Sequence, residues 1–328
     1  MKMAGYGLLG LVVLLAVAIT FTVGWRPFIG AQARPLTDRR FEPTPARLQR
    51  GQYLVESVVG CFACHSKYDE TSGIPVLISK KGSGEVFVDE GSLRVVASNI
   101  TPDPQTGIGH WSDDALARAI REGVSHDGRA LFPIMPYKEF RHMSDEDLAS
   151  VIAYVRSVEP VRSQLPKTQL PFPLTLLVKK FPEPVTEPVP PPDLSTPAKR
   201  GEYMVHLGAC ADCHTPTDKM GKPLPGLAFG GGNVFGEVAS TNLTPDPSGI
   251  PYYDEALFLQ AMRTGHVRGR KLKPPMPWWF YRNMNDEDLT SIFAYLRTLK
   301  PAQHRVDNTE PPTLCKLCGN KHGLGDRN

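Results

Sequence analysis

Cysteine is scarce, with 6 residues in 328. That is too few for a fold stapled by disulfides, so each cysteine has to be placed individually. A charge surplus is also missing. The 37 Lys+Arg against 34 Asp+Glu leave a formal net charge of +3, without the clustered basic surface of a dedicated nucleic-acid binder. Strand-like alternation is nearly absent. Only residues 85–88 and 93–97 read as a small hairpin. What is plentiful is proline, 32 residues, about twice the usual share of ~5%.

One long stretch, residues 3–25, carries no charge. About 20 apolar residues in helix span roughly 30 Å, one bilayer core. Lys2 precedes the run, and Trp25-Arg26 follow where an interface anchor belongs. Residues 1–26 are therefore expected to form a transmembrane helix in a bacterial inner membrane, with the body of the chain in the periplasm. A cleaved signal sequence is the alternative, since Ala31-Gln32-Ala33 fits a small-residue cleavage site.

The chain contains itself twice. Arg50-Gly51-Gln52-Tyr53-Leu54-Val55 recurs as Arg200-Gly201-Glu202-Tyr203-Met204-Val205, and Asn99-Ile100-Thr101-Pro102-Asp103-Pro104 as Asn242-Leu243-Thr244-Pro245-Asp246-Pro247. Residues 143–160 match 284–301 at 10 of 18 positions. The expected organisation is a first domain over 43–160, a Pro-rich linker or strap over 161–195, a second domain over 196–301 and a tail over 302–328. Eleven prolines run from Pro160 through Pro197, a density no helix survives. Yet Leu170-Pro171-Phe172-Pro173-Leu174 is apolar enough to lie against a surface.

Each copy reads as helical, so the fold class expected is all-α. Thr44-Pro45 and Thr196-Pro197 suit an N-cap followed by proline in the first turn. Ser112-Asp113-Asp114 opens a helix that Gly123 ends. Ser144-Asp145-Glu146-Asp147 and Asn285-Asp286-Glu287-Asp288 open the last helix of each copy, with acids on the positive end of the dipole. Apolar residues then recur at helical spacing, Leu148, Val151, Ile152, Val155 and Leu289, Ile292, Phe293, Leu296.

Four of the six cysteines lie in Cys61-Phe62-Ala63-Cys64-His65 and Cys210-Ala211-Asp212-Cys213-His214. C-x-x-C-H is the attachment signature of haem c. Two thiols on one short turn reach the two vinyl groups, and the next residue, His65 or His214, becomes the proximal iron ligand. A redox C-x-x-C or half a zinc site would need the histidine by accident, twice. Two covalently attached haems are expected. A sixth ligand is offered at matched places by Met135 in Phe132-Pro133-Ile134-Met135-Pro136 and Met276 in Pro274-Pro275-Met276-Pro277. Met143 and Met284, at the start of the last helices, suit packing instead. Methionine ligation raises the potential, and a closed His/Met pair favours electron transfer over catalysis at iron.

These motifs resemble the class I c-type cytochromes, specifically the cytochrome c subunits of membrane-bound alcohol and gluconate dehydrogenases. The Met135-Pro136-Tyr137 and Met276-Pro277-Trp278 steps, the Asn-x-Thr-Pro-Asp turns and the Ala153-Tyr154 and Ala294-Tyr295 pairs carry the likeness, over about residues 44–301. The resemblance implies that Gly51 with Tyr154, and Gly201 with Tyr295, mark first-helix on last-helix packing. It implies that the Asn-x-Thr-Pro-Asp loops lie near the haem propionates; a plain capped turn is the other reading. Those subunits typically carry three haem domains, whereas this sequence holds two.

Function is then read as electron transfer from a donor dehydrogenase or quinol-oxidising complex to an acceptor cytochrome, oxidase or reaction centre. The membrane is a partner in this reading and nucleic acid is not. Rival readings are a haem enzyme, such as a dihaem peroxidase or thiosulfate-oxidising cytochrome, and an integral haem subunit of a larger complex. The basic residues Arg268, Arg270, Lys271 and Lys273, just before Met276, read as a solvated run or as the flank of an exposed haem edge that would steer an acidic redox partner. In the tail, Cys315 and Cys318 read as an intrachain disulfide, as part of a zinc site with His322 that lacks a fourth ligand, or as free thiols. His110, His126, His142, His206, His266 and His304 have no match between the copies and read as surface or supporting residues.

Overall fold

The computed structural model describes residues 2–22, 24–69, 75–218 and 221–328. Met1 and Val23, both within the expected anchor, lie outside the described residues. Residues 2–21 form a helix, α1 (Lys2–Phe21), with Leu11, Leu14 and Leu15 exposed. Among the described residues no helix is long and apolar enough to cross a membrane. This corrects the expected transmembrane anchor over 1–26 and the inner-membrane, periplasm-facing location built on it.

Both copies of the repeat use one plan. In the first, α2 (Pro45–Tyr53) starts at Thr44, whose hydroxyl accepts from the Arg47 N–H, and continues into a π-helical turn, Leu54–Val58. After α3 (Asp113–Glu122) comes α4 (Asp145–Ser157), capped by Ser144. In the second copy, α5 (Pro197–Leu207) starts at Thr196, α6 (Glu255–Thr264) at Asp254 and α7 (Asp286–Leu296) at Asn285. Each cap side chain satisfies an N–H that the first helical turn leaves without a partner. First helix crosses last helix in both copies, at a glycine. A Cβ on Gly51 would overlap the Ser150 carbonyl and crowd Tyr154, and one on Gly201 would overlap the Ser291 carbonyl. Only a residue without a side chain lets the backbones approach that closely.

The all-α expectation is corrected. Among the described residues, five two-stranded antiparallel sheets accompany the helices. The longest pairs Glu85–Glu90 with Leu93–Ala97, turning at Gly91 with φ +59°. The others are shorter pieces of the glycine-rich loops. Chain that must return within a few residues satisfies its backbone groups by pairing with itself.

The two copies share a buried core that includes Leu54, Val58, Met143 and Leu148 from the first and Met204, Leu207, Met284 and Leu289 from the second. Crossed hydrogen bonds join them. Tyr53 donates to Asp288 (2.5 Å), and Tyr203 donates to Asp147 (2.7 Å). Each aspartate also meets the arginine of its own first helix, Asp147 with Arg50 and Asp288 with Arg200.

The proline-rich segment lies on the first copy as a strap. Gln169 pairs with Arg94 through both backbone groups (2.8 Å each), and Val178 is buried. Val189 accepts from the Asp145 N–H (2.9 Å). The N-terminal extension is latched to the same copy. Arg34 makes a two-pronged contact with Asp114 (2.7 Å each) and reaches Glu122 (2.7 Å).

Candidate haem-attachment sites

Each C-x-x-C-H motif occupies a single helical turn, Cys61–Cys64 and Cys210–His214. Both turns are entered through a left-handed residue, Gly60 at φ +72° and Ala209 at φ +50°. That bend leaves the preceding helix behind and swings both cysteines to one side.

The histidines are held identically. Nδ1 of His65 faces the Ser98 carbonyl (2.6 Å), and Nδ1 of His214 faces the Thr241 carbonyl (2.7 Å). A carbonyl only accepts, so Nδ1 carries the proton and Nε2 keeps its lone pair for a metal. The backbone on the other side is fixed as well. Gly84 and Gly231 each donate N–H to the carbonyl of the histidine, at 2.8 Å. Burial lowers the pKa of both imidazoles, opposed by these carbonyls, which favours the neutral, ligating form.

The supporting carbonyls come from the repeated Asn-x-Thr-Pro-Asp turns. Ser98 and Thr241 each precede the asparagine. Asn99 Oδ1 accepts from the Thr101 N–H (2.9 Å) and hydroxyl (2.7 Å), and Asn242 does the same for Thr244 (2.9 and 2.8 Å). Both threonines are fully buried. The residue before each turn aims its carbonyl at the histidine of the motif. Ser98 and Thr241 were missed from sequence. Their only signal is position, one residue ahead of a duplicated asparagine.

The cysteines are reachable at their surfaces, Cys64 exposed and Cys61, Cys210 and Cys213 half-buried. Yet burial, the largest cause, pushes the Cys61 and Cys210 thiols up to about 12 and Cys213 to about 11. Two thiols on one turn beside an imidazole with a free Nε2 are the donor set that haem c attachment uses, and the residues present in each copy fit that group.

Met135 and Met276 sit in matched turns. Met135 N–H donates to the Phe132 carbonyl (3.2 Å) and Met276 N–H to that of Lys273 (3.3 Å). The aromatic residue after each Met-Pro step anchors its turn. Tyr137 packs where a Cβ on Gly123 would be, and Trp278 where one on Gly265 would be. Both glycines end a helix in the left-handed conformation, φ +73° and +70°. Met143 and Met284 are buried in the core at 0% and 2% exposure, so their helix-start position is one of packing.

The two motifs approach each other through the short helix Trp278–Tyr281. Tyr281 donates to the Gly208 carbonyl (2.7 Å), and a Cβ on Gly60 would lie 3.4 Å from the Phe280 ring. Burial, then the thiols of Cys210, Cys213 and Cys64, push the Tyr281 hydroxyl well above its usual range. Of the unmatched histidines, His142 and His206 stack at 4.2 Å between the copies, with His206 on Glu139 (2.7 Å). His304 is completely buried, which overturns its surface reading.

No protein-family model matches the chain. It is 30% identical over 248 residues to the diheme cytochrome c-type of Cereibacter sphaeroides, covering 73% of this chain and 81% of that protein. It is 28% identical over 285 residues to the fructose dehydrogenase cytochrome subunit of Gluconobacter japonicus, covering 82% of this chain and 56% of that one. Over 221 residues, 65% of this chain, it is 37% identical to a nicotinate dehydrogenase subunit of Pseudomonas putida, of which it spans 18%. The chain therefore spans about half the length, or less, of the dehydrogenase subunits it matches here. Two duplicated attachment motifs with matched histidine supports, and a relative covered over most of its length, agree: the chain belongs to the dihaem c-type cytochromes, electron-transfer proteins with covalently bound haem c.

Proposed function

We propose that this chain carries two haems c, one in each of the units 43–160 and 196–301, and passes electrons between a dehydrogenase and a downstream acceptor cytochrome or oxidase. The observation that carries the reading is the matched pair of histidine supports, Ser98 carbonyl to His65 and Thr241 carbonyl to His214.

Haem c supplies reversible one-electron chemistry at its iron when bound. The chain supplies everything that tunes and places it. Cys61 with Cys64, and Cys210 with Cys213, anchor the two groups. His65 and His214 would present Nε2 to the iron, and their carbonyl partners fix the ring plane and raise ligand basicity. Met135 and Met276 would supply the second ligand of each iron, from turns held by the Tyr137–Gly123 and Trp278–Gly265 contacts. A neutral thioether favours the reduced state. Phe280 and Tyr281 fill the space between the attachment turns and exclude water from it.

The partner surface in this reading is the hairpin His266–Val267 and Arg270–Lys271. Arg268, Arg270, Lys271 and Lys273 are exposed there, and Arg268 lies over the Tyr252 ring at 5.2 Å. Cations beside the Met276 turn would guide an acidic face of the dehydrogenase or acceptor.

Pyridine haemochrome and iron analysis of the purified protein test this, with two haems per chain expected. Replacing Met135 or Met276 by alanine should each abolish half of the far-red methionine-to-ferric-iron absorption. One haem per chain, or a band unchanged in both variants, would refute it.

A further inference from the structure

Four ligating side chains that the haem sites do not use meet at the C-terminus. They are His304, from the segment leaving α7, and Cys315, Cys318 and His322 from a small knuckle. The knuckle is a hairpin, Pro312–Leu314 paired with Lys321–Gly323. Its turn is closed by Cys315 N–H to the Asn320 carbonyl (2.8 Å) and Gly319 N–H to the Cys315 carbonyl (2.9 Å). We propose that these four residues bind one Zn²⁺ in a closed tetrahedral site that clamps the tail, 302–328, onto the loop supporting His214.

Geometry is the first argument. The four donor atoms all lie within 4.8 Å of one another. His304 Nε2 is 3.3 Å from Cys315 Sγ, and His322 Nε2 is 3.4 Å from Cys318 Sγ. Zinc bonds of about 2.3 Å to sulfur and 2.0–2.1 Å to nitrogen put neighbouring tetrahedral ligands about 3.3–3.8 Å apart. The rings stand at 88° with centroids 5.1 Å apart, so both nitrogens converge from different directions. Each Nδ1 faces a carbonyl, His304 that of Gly230 (2.9 Å) and His322 that of Gly323 (3.1 Å). That assigns the proton to Nδ1 and leaves each Nε2 free to ligate, the usual support of a zinc histidine.

Burial and charge are the second. The four side chains are 0%, 0%, 8% and 2% exposed in chain order. Two thiolates, two neutral imidazoles and Zn²⁺ sum to zero, the one charge a buried site carries cheaply. A Cys315–Cys318 disulfide would instead leave two buried Nε2 atoms without a hydrogen-bond donor or a metal to face.

The place of the site gives it a purpose. Gly232 packs so tightly that a Cβ would lie 2.5 Å from the His304 ring and 3.5 Å from Cys318 Sγ. Asn320 donates to the Gly232 carbonyl (3.0 Å), and neighbouring Gly231 holds the His214 carbonyl. Asn242, next to Thr241, donates to the His304 carbonyl (3.1 Å). The first copy meets the same need with the strap, where Asn99 donates to the Val161 carbonyl (2.7 Å). In the second copy the tail takes that place, Asn242 donating to the Ala302 carbonyl as well (2.7 Å), and the metal locks it there.

The test uses the full haem-loaded protein, given one equivalent of Zn²⁺ and desalted. One zinc per chain is expected, counted separately from iron, with a zinc-edge absorption fit of two sulfurs at about 2.3 Å and two nitrogens at about 2.0–2.1 Å. Cys315→Ser with Cys318→Ser should lose the zinc, keep the haem count and raise amide exchange over 228–242 and 302–328. His304→Cys, which keeps four ligands, should retain zinc with three sulfurs in the fit. Two reactive thiols without zinc, an intact mass lower by two hydrogens, or zinc retained by the double serine variant would each overturn the proposal. None of these results depends on the haem reading.

Discussion

Tyr203→Phe removes one oxygen from the junction between the copies, and the structure sets what that should cost. The hydroxyl donates to Asp147 (2.7 Å) and accepts from the Ser144 N–H (3.0 Å), at a tyrosine 7% exposed. A hydrogen bond to a charged group contributes about 1.5–3 kcal/mol, and a buried N–H left without a partner costs about 1–3 kcal/mol. Asp147 keeps its two contacts with Arg50 (2.8 and 2.9 Å), so its charge is not abandoned. The loss should be about 2–4 kcal/mol. Tyr53→Phe, the counterpart, should cost less. Its bond to Asp288 is shorter (2.5 Å), but its second contact, from the Asn285 N–H, is long (3.3 Å) and exposed. About 1.5–2 kcal/mol is expected. Guanidinium unfolding of the haem-loaded protein, followed by far-ultraviolet dichroism and by haem absorption, measures both. A Tyr203→Phe loss under about 0.5 kcal/mol, or a larger loss for Tyr53→Phe, would refute the crossed-bond account of the junction.

Gly51→Ala and Gly201→Ala should each destabilise by at least the 1–3 kcal/mol typical of overpacking, roughly, because the new methyl meets backbone rather than a movable side chain; near-wild-type thermal stability would show that the helices can part freely. Gly123→Ala and Gly265→Ala place a methyl under Tyr137 and Trp278 and should weaken methionine ligation selectively in their own copy, read as partial loss of the far-red band with both haems retained. Stability should fall in alkali. Burial, then the neighbouring carboxylates, raise the Tyr53 and Tyr203 pKa values; the stabilisation is complete below the unfolded value near 10 and lost as pH rises through the folded values. A denaturation midpoint that stays flat up to about pH 10 and falls above it is expected, and a drop starting near neutrality would contradict it. The Arg34 latch behaves oppositely. Burial works against the Asp114 carboxylate, but Arg34 and the Thr37 N–H win and hold its pKa low, so the latch persists above about pH 4 and loosens as pH falls through the lower folded value. Protease cleavage of the 30–41 segment, compared at neutral and acid pH, reports it.

The sequence by itself determined the duplication, the helix starts and the attachment chemistry. These are local: a capping threonine, a C-x-x-C-H turn and a Met-Pro-aromatic step each act within a few residues, and repetition doubles the signal. Sequence likewise showed Gly51 and Gly201, but not why; the facing carbonyls of Ser150 and Ser291 come from helices about ninety to a hundred residues away. The expected anchor is not met, since among the described residues no helix is long and apolar enough to cross a membrane. The hairpin over 85–97 was legible from its alternation, while the four shorter sheets were not, because strands of two or three residues carry no periodicity. Tertiary structure alone decided the rest. Ser98 and Thr241 support the proximal histidines through backbone carbonyls, which no side-chain pattern encodes. The tail had three possible ligands in sequence and found its fourth only when the chain after α7 brought His304 under the knuckle. A ligand set is a statement about convergence in space, and residues that stand alone in the sequence acquire their chemistry from what the fold places opposite them.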